Sequence, residues 1–181
     1  MNDDRLTAPE RAIWWSHVTG TMELTAHLDR LMRRATGMPM TYFQILGLLA
    51  DAPGRRMRMS ELAAAAGSST SRLSHAVAAL EKSRWVERRP AACDRRGWSA
   101  GLTDAGLAAY EAAAGPHGTF VRRYLFDVLT PDQVRALDEI GAAIRAGLDT
   151  ACTEARARED VDAAFAVEPG SDPADCPTAI G

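Results

Sequence analysis

Apolar side chains recur every three to four residues from Ile13 through Trp14, Val18, Leu24, Leu28 and Leu31 to Met32. That spacing predicts an amphipathic helix over about Thr7 to Arg34. Thr7-Ala8-Pro9-Glu10 opens it as a capping box with an early proline, and Gly37-Met38-Pro39 ends it. Thr41-Tyr42-Phe43-Gln44 reads as a second capping box, starting a helix that runs through Leu49 to a break at Asp51-Ala52-Pro53-Gly54. Farther on, Thr103-Asp104 caps a helix bearing Leu107 and Tyr110. A kink or break is expected at Gly115-Pro116, because proline removes an amide donor and clashes one turn back. Helix then resumes through Phe120, Val121, Tyr124, Leu125 and Val128. Thr130-Pro131-Asp132-Gln133 caps a last helix that sets Val134, Leu137, Ile140, Ile144 and Leu148 on one face and passes Arg158.

Between Met57 and Thr103 the pattern shortens. An extended lead (Met57 to Met59) precedes a short helix (Ser60 to Ala66), a turn at Gly67 and a second helix (about Ser68 to Ser83). An extended run (Trp85 to Arg89), a basic loop (Ala91 to Gly97) and a short return strand ending at Leu102-Thr103 follow. Helix, tight turn and helix make a helix-turn-helix, and the arginine-tipped hairpin makes it winged. The fold class expected is mainly α with a small β-wing, flanked by N- and C-terminal helices.

Composition fits a globular chain, with 46% apolar and 25% charged residues. No apolar run approaches the roughly 20 residues of a membrane span. The start, MNDDRLTAPE, lacks the apolar core of a signal peptide, so the expected compartment is the cytoplasm. Cys93, Cys152 and Cys176 are scattered, and neither they nor the histidines have metal-ligand spacing. No metal, cofactor or disulfide framework is expected. Phosphate-binding glycine loops, HExxH, GxSxG and paired catalytic groups are missing from the sequence, so no enzyme is expected.

The net charge of −3 hides a strong asymmetry. Arg55 to Arg96 holds ten basic residues against four acids, whereas Asp127 to the C-terminus holds twelve acids against four arginines. A phosphate backbone meets the local field, so the basic segment is the candidate nucleic-acid footprint. In the second helix Leu73, Val77 and Leu80 point inward, while Thr70, Ser71, Arg72, Ser74 and His75 lie elsewhere. Short hydroxyls and an arginine near the N-terminus of a helix can reach base edges in a major groove. Serine and threonine at a helix start are also ordinary caps. The hairpin supplies the second polar feature, with Arg95 and Arg96 suited to a minor groove and Asp94 suited to shaping the tip.

Leu80-Glu81, Val86-Glu87-Arg88-Arg89-Pro90, Asp94-Arg95-Arg96 and Leu102-Thr103-Asp104-Ala105-Gly106 resemble the signature of MarR-type regulators, roughly L-E-x-x-G-x-V-x-R, D-x-R and L-T-x-x-G. The resemblance covers about Thr7 to Ala157. It implies a homodimeric winged-helix protein that represses transcription and leaves its pseudo-palindromic operator when a small ligand enters a cleft. Carried over by position, the contacts to double-stranded DNA are Ser69, Thr70, Ser71, Arg72, Ser74 and His75 in the helix and Arg95 and Arg96 in the wing. Arg84 stands where the family has glycine, so a different turn is expected there. His75 stands where arginine is common, Ala91-Ala92-Cys93 replaces a more acidic loop, and Gly97, Ser99 and Gly101 imply a weak, mobile return strand.

The domain plan is an N-terminal dimerisation helix (1–40), a DNA-binding region (41–103), C-terminal dimerisation helices (104–165) and a disordered acidic tail (166–181). The apolar stripes of the end helices exceed what one small winged domain needs, so pairing of two copies is expected. Trp14, Trp15, His17 and Tyr42, with Met22 and Met38, are the candidates to line a cleft for an apolar or aromatic effector, although such stripes more often form core. Two other readings stand beside the repressor: a winged-helix module that binds a protein, and a redox sensor acting through Cys93, whose arginine neighbours favour a thiolate.

Overall fold

A computed structural model describes residues 5–91 and 94–165, with the backbone alone described at 91, 94–96, 149 and 151–165. The chain forms two compact units that meet between Val128 and Leu129.

The first unit opens with α1 (Ala8–Thr36). Both arms of its Thr7/Glu10 capping box are made. Its burial begins late: Ile13, Trp14, Trp15 and Met22 are exposed, while Leu28 and Met32 are buried. The next helix, α2 (Met40–Asp51), begins one residue before the expected Thr41 and without the expected box. Its cap comes from another helix, because the Met40 N–H donates to Asp29 Oδ1 of α1 at 2.8 Å. Asp29 Oδ2 accepts from Arg33 Nε at 2.7 Å. Burial pushes the Asp29 carboxyl up, but Arg33, the Met40 amide and Arg30 together outweigh it and hold its pKa below the ordinary value.

A short strand, β1 (Arg56–Arg58), leads into α3 (Met59–Ala65), a turn, and α4 (Thr70–Lys82). The hairpin of β2 (Val86–Ala91) and β3 (Asp94–Leu102) follows. The return strand is neither short nor peripheral. It spans nine residues and lies in the middle of an antiparallel sheet of order β1-β3-β2. Its small residues have a packing reason. A Cβ at Gly101 would stand 2.7 Å from the Arg56 guanidinium, which lies across the sheet there. Ser99 is buried and its hydroxyl donates to the Arg89 carbonyl at 3.2 Å. Ala100 and Leu102 alternate with them into the core.

Both helices of the helix-turn-helix end in a Schellman motif, in which a left-handed residue lets two amides turn back onto the last carbonyls. After α3, Gly67 (φ 58°) takes that place, with the Ser68 N–H donating to the Ala63 carbonyl. After α4 the same place is taken by Arg84 (φ 59°), with Trp85 N–H donating to Leu80 carbonyl and Arg84 N–H to Glu81 carbonyl. The turn expected to differ therefore keeps its geometry, at the steric cost of a Cβ in the left-handed region.

Helix α5 (Asp104–Tyr124) starts from a Thr103 cap and runs through Pro116 without the expected break. Proline frees the carbonyl one turn back, on Ala112, and Ala112 is exposed to solvent. Packing holds the helix across that point: Ala113 is buried, and Phe43 of α2 lies against Tyr110 and His117 at ring-centroid distances of 4.9 and 4.4 Å. Burial pushes the His117 imidazole below its usual range. The core gathers Met32, Phe43, Ile45, Leu46, Leu49, Leu62, Leu73, Val77, Leu80, Val86 and Leu102 from every surrounding element.

The second unit is built on α6 (Pro131–Phe165). Thr130 and Gln133 exchange both bonds of the expected capping box, at 2.9 and 3.3 Å. Leu137, Ile140, Ile144 and Leu148 are exposed. The expected tail lies outside the described residues.

Gly106 and Arg84 make opposite predictions. A Cβ at Gly106 would stand 2.0 Å from the Trp85 carbonyl oxygen, a backbone atom that cannot swing away. Gly106→Ala should lower unfolding free energy by about 1–3 kcal/mol despite alanine's helix preference. Arg84→Gly should raise it by about 0.5–1 kcal/mol by relieving the left-handed side chain. Urea denaturation of both variants checks the pair; equal and opposite signs to these would refute the reading of the two turns.

Candidate nucleic-acid interface

At 100° per residue, α4 has one apolar side and one bare side. Leu73, Val77 and Leu80 are buried. Ser71 and His75 face opposite them and are exposed, with Thr70 and the half-buried Ser74 on one flank and exposed Arg72 on the other. Ser69 is the N-cap, its Oγ accepting from the Arg72 N–H at 3.3 Å. The capping reading therefore holds for Ser69 alone, and the five later residues bring unengaged polar groups to one surface. Asp94, Arg95 and Arg96 lie on β3 at the tip end of the hairpin, with side chains outside the described residues, as is Cys93 altogether.

The basic segment is less free than a count of charges implies. Arg56 reaches Glu87 Oε1 at 2.7 Å and Arg89 reaches Glu87 Oε2 at 3.0 Å. Arg88 reaches Glu81 Oε2 at 2.6 Å, and its own N–H donates to Glu81 Oε1 at 3.1 Å. Arg55 pairs with Asp104 at 3.2 Å. These pairs brace the wing on α4 and across the sheet. Among the described residues Arg58, Arg72, Lys82 and Arg84 have no acidic partner, and they carry the field that a phosphate would meet.

Two clefts flank α4. One, of about 380 Å³, opens between α2, the Gly67 turn and α4, with Thr41, Gln44, Ser68 and Arg72 in its wall. The other, of about 300 Å³, opens on the wing side beside Arg58, Ser60, Ser74 and Trp98.

The MarR family model matches residues 36–97, which span the end of α1 to the wing. Among solved structures, Sco3205 from Streptomyces coelicolor, a MarR family transcriptional regulator in complex with DNA, is 45% identical. It aligns over 80% of this chain and 94% of its own, with a TM-score of 0.74. The chain belongs to the MarR family of transcriptional regulators. AbsC, another MarR family regulator from Streptomyces coelicolor, is 36% identical over 81% of this chain and 98% of its own, with a TM-score of 0.72. BpsR from Bordetella bronchiseptica shares the fold at 14% identity over 74% of this chain and 98% of its own, with a TM-score of 0.65. No curated protein sequence matches at a significant level.

The MarR signature now has physical content. Glu81 of L-E ties β2 to the reading helix, the glycine-like place is the left-handed Arg84, and Thr103 and Gly106 of L-T-x-x-G close on the Trp85 carbonyl. The proposed effector residues come together less well. Trp14, Trp15 and His17 are exposed near the start of α1, while Tyr42 is half-buried against the core, next to the Met40 amide that Asp29 caps. Some 15 residues of helix, about 22 Å, separate Trp14 from Asp29. Met38 is core and Met22 is exposed. A cleft of about 540 Å³ between α1 and α5 is lined instead by Glu23, Leu24, Ala26, His27, Arg30 and Tyr124. His27 stands edge-on to Tyr124 at 4.5 Å there, with Nε2 buried and unbonded. Periodicity could not find it, because the pairing of the ends of α1 and α5 is long-range.

The Glu87 carboxyl should titrate below its ordinary 4.5, held down first by Arg56 and then by Arg89 against the opposing effect of burial. Because its folded pKa is depressed, its stabilising effect is present above 4.5 and lost as pH falls through the lower folded value. Side-chain carboxyl NMR should show Arg56→Ala moving the Glu87 titration back toward 4.5 by more than Arg89→Ala does; the reverse order would contradict the geometry.

Proposed function

We propose that this regulator binds double-stranded DNA as a homodimer, with α4 in the major groove and the tip of the β2–β3 wing in the adjacent minor groove. The observation that carries the reading is the bare outer side of α4, in a chain 45% identical to a regulator solved with DNA. Thr70, Ser71, Arg72, Ser74 and His75 are the reading residues in this proposal, and Arg95 and Arg96 are the wing contacts. Histidine at position 75 offers one donor where arginine would offer a fork, which favours a different base step.

Homodimerisation draws support from the apolar side chains left in water by a single chain: Ile13, Trp14, Trp15 and Met22 of α1, and Leu137, Ile140, Ile144 and Leu148 of α6. Two-fold pairing buries both sets and sets two reading helices about one duplex turn apart, which a pseudo-palindromic operator of half-sites about 10 bp apart matches. In this scheme residues 1–40 and 104–165 dimerise and 41–103 read. Operator occupancy makes repression the output, and a small apolar or aromatic effector releases it. The cleft between α1 and α5 is the effector's candidate seat in this reading. BpsR, whose DNA binding is regulated by 6-hydroxynicotinic acid, contributes only that this fold admits such control.

The test is selection of genomic fragments by the purified protein, followed by affinity measurements at graded salt. Arg96→Ala should make the salt slope shallower by about one per protomer. Arg72→Ala and His75→Ala should change the preferred site by about 1–3 kcal/mol per lost base contact. A sample that sediments as a monomer and binds no duplex at low salt would end the proposal in favour of a protein-interaction module.

A further inference from the structure

Apart from Ser74, the wing-side cleft is lined by residues that the helix and wing contacts above do not use. Three separate elements meet there: Arg58 and Ser60 at the junction of β1 and α3, Ser74 on the flank of α4, and Arg88 and Trp98 on the two strands of the wing. We infer that this cleft seats one backbone phosphate of the duplex in each half-site, gripped by the Arg58 guanidinium and the hydroxyls of Ser60 and Ser74. The inference rests on the DNA-binding reading above and adds to it a site of charge contact outside the reading helix and the wing tip.

Charge favours an anion. The Arg58 guanidinium is exposed and has no acidic partner among the described residues, while its backbone is fixed by a bond from its N–H to Glu61 Oε2 at 3.2 Å. Arg88 is a wall rather than a ligand, because Glu81 takes its guanidinium at 2.6 Å. Among the described lining residues of the cleft, Arg58 is therefore the cation whose guanidinium is left free to meet a phosphate.

The Ser74 hydroxyl points the same way. A helical hydroxyl commonly donates to the carbonyl one turn back. Thr25, Thr36, Ser83, Thr119 and Thr150 do so, at 2.7 to 3.4 Å, whereas among the described residues Ser16 and Thr21 of α1 do not. Ser74 has the Thr70 carbonyl available in the same helix, yet makes no hydrogen bond among the described residues. Its hydroxyl is left for the cleft that it lines.

Position supplies the remaining argument. With Ser71 and His75 toward the floor of a major groove, Ser74 lies toward the groove's wall, and the wall of a groove is phosphate backbone. The wing rises on the same side, so the backbone strand between the two grooves crosses this cleft. Trp98, 54% exposed, offers its indole at the rim to the apolar carbons of the neighbouring sugar.

The experiment uses the full-length protein and a duplex that it selects from fragmented genomic DNA, with single methylphosphonate linkages removing one phosphate charge at a time. Wild-type protein should lose affinity when one linkage beside each read half-site is neutralised. Arg58→Ala should bind more weakly, with a salt slope shallower by about one per protomer, and should lose no further affinity at that linkage. Arg58→Lys should recover the slope, and Ser74→Ala should weaken binding without changing it. Thermal melting of Arg58→Ala should match wild type, since among the described residues its side chain has no ion pair to lose. Additive losses at every linkage, or an unchanged slope in Arg58→Ala, would overturn the seat while leaving DNA binding intact. Failure of the wild-type protein to bind any duplex would overturn the DNA-binding reading itself.

Discussion

One carbonyl organises the winged region. The Trp85 oxygen accepts from the Thr103 N–H at 3.0 Å and from the Thr103 hydroxyl at 3.1 Å, and Gly106 lies so close that no Cβ fits between. The one proton of that hydroxyl is shared with the Arg84 carbonyl, at 2.7 Å, and its oxygen accepts the Gly106 N–H at 3.0 Å. The end of α4, both inner ends of the wing and the start of α5 are thus fixed at a single point. A shift there would move the end of α4 and the base of the wing together, since both are bonded at this point. Displacing this part-buried oxygen would break two hydrogen bonds at once, which is costly.

Around that junction the charged residues divide into braces and free cations. Glu81 and Glu87 each take an arginine of β2, and Glu87 also takes Arg56 from the opposite edge of the sheet. Pairs this exposed contribute little to stability individually. Their larger effect is directional: they hold the strands of the wing at a set angle to α4, and two carboxylates engage three arginines that would otherwise face solvent unpaired. What is left concentrates on Arg58, Arg72, Lys82 and Arg84 among the described residues, close to the reading helix.

Much of this was legible in the sequence because it is local. Helix periodicity, the Thr7 and Thr130 capping boxes and the order helix, turn, helix, hairpin depend on neighbours a few residues apart. Where reading failed, the deciding partner was distant. Asp29 caps α2 from eleven residues away and displaced the box expected at Thr41. Gly101 looked like a weakness in a strand, but Arg56 fills the space it leaves. Pro116 looked like a break, but Phe43 of α2 packs against Tyr110 before it and His117 after it. In the candidate site, the polar stripe of α4 was visible from its spacing. Arg58, Ser60 and Trp98 were not, because only the closed sheet brings β1, α3 and the wing together.

The outer side of α4 has a further consequence. Ser71 and His75 touch nothing that holds the chain together, whereas Ser69, one turn away, caps the helix and Leu73 fills the core. Mutation at 71 or 75 is therefore nearly silent for folding. Under the proposed reading of DNA by α4, a lineage carrying this scaffold is free to drift through new recognition preferences at those two positions, and duplicated copies can diverge in target without first acquiring compensating changes elsewhere.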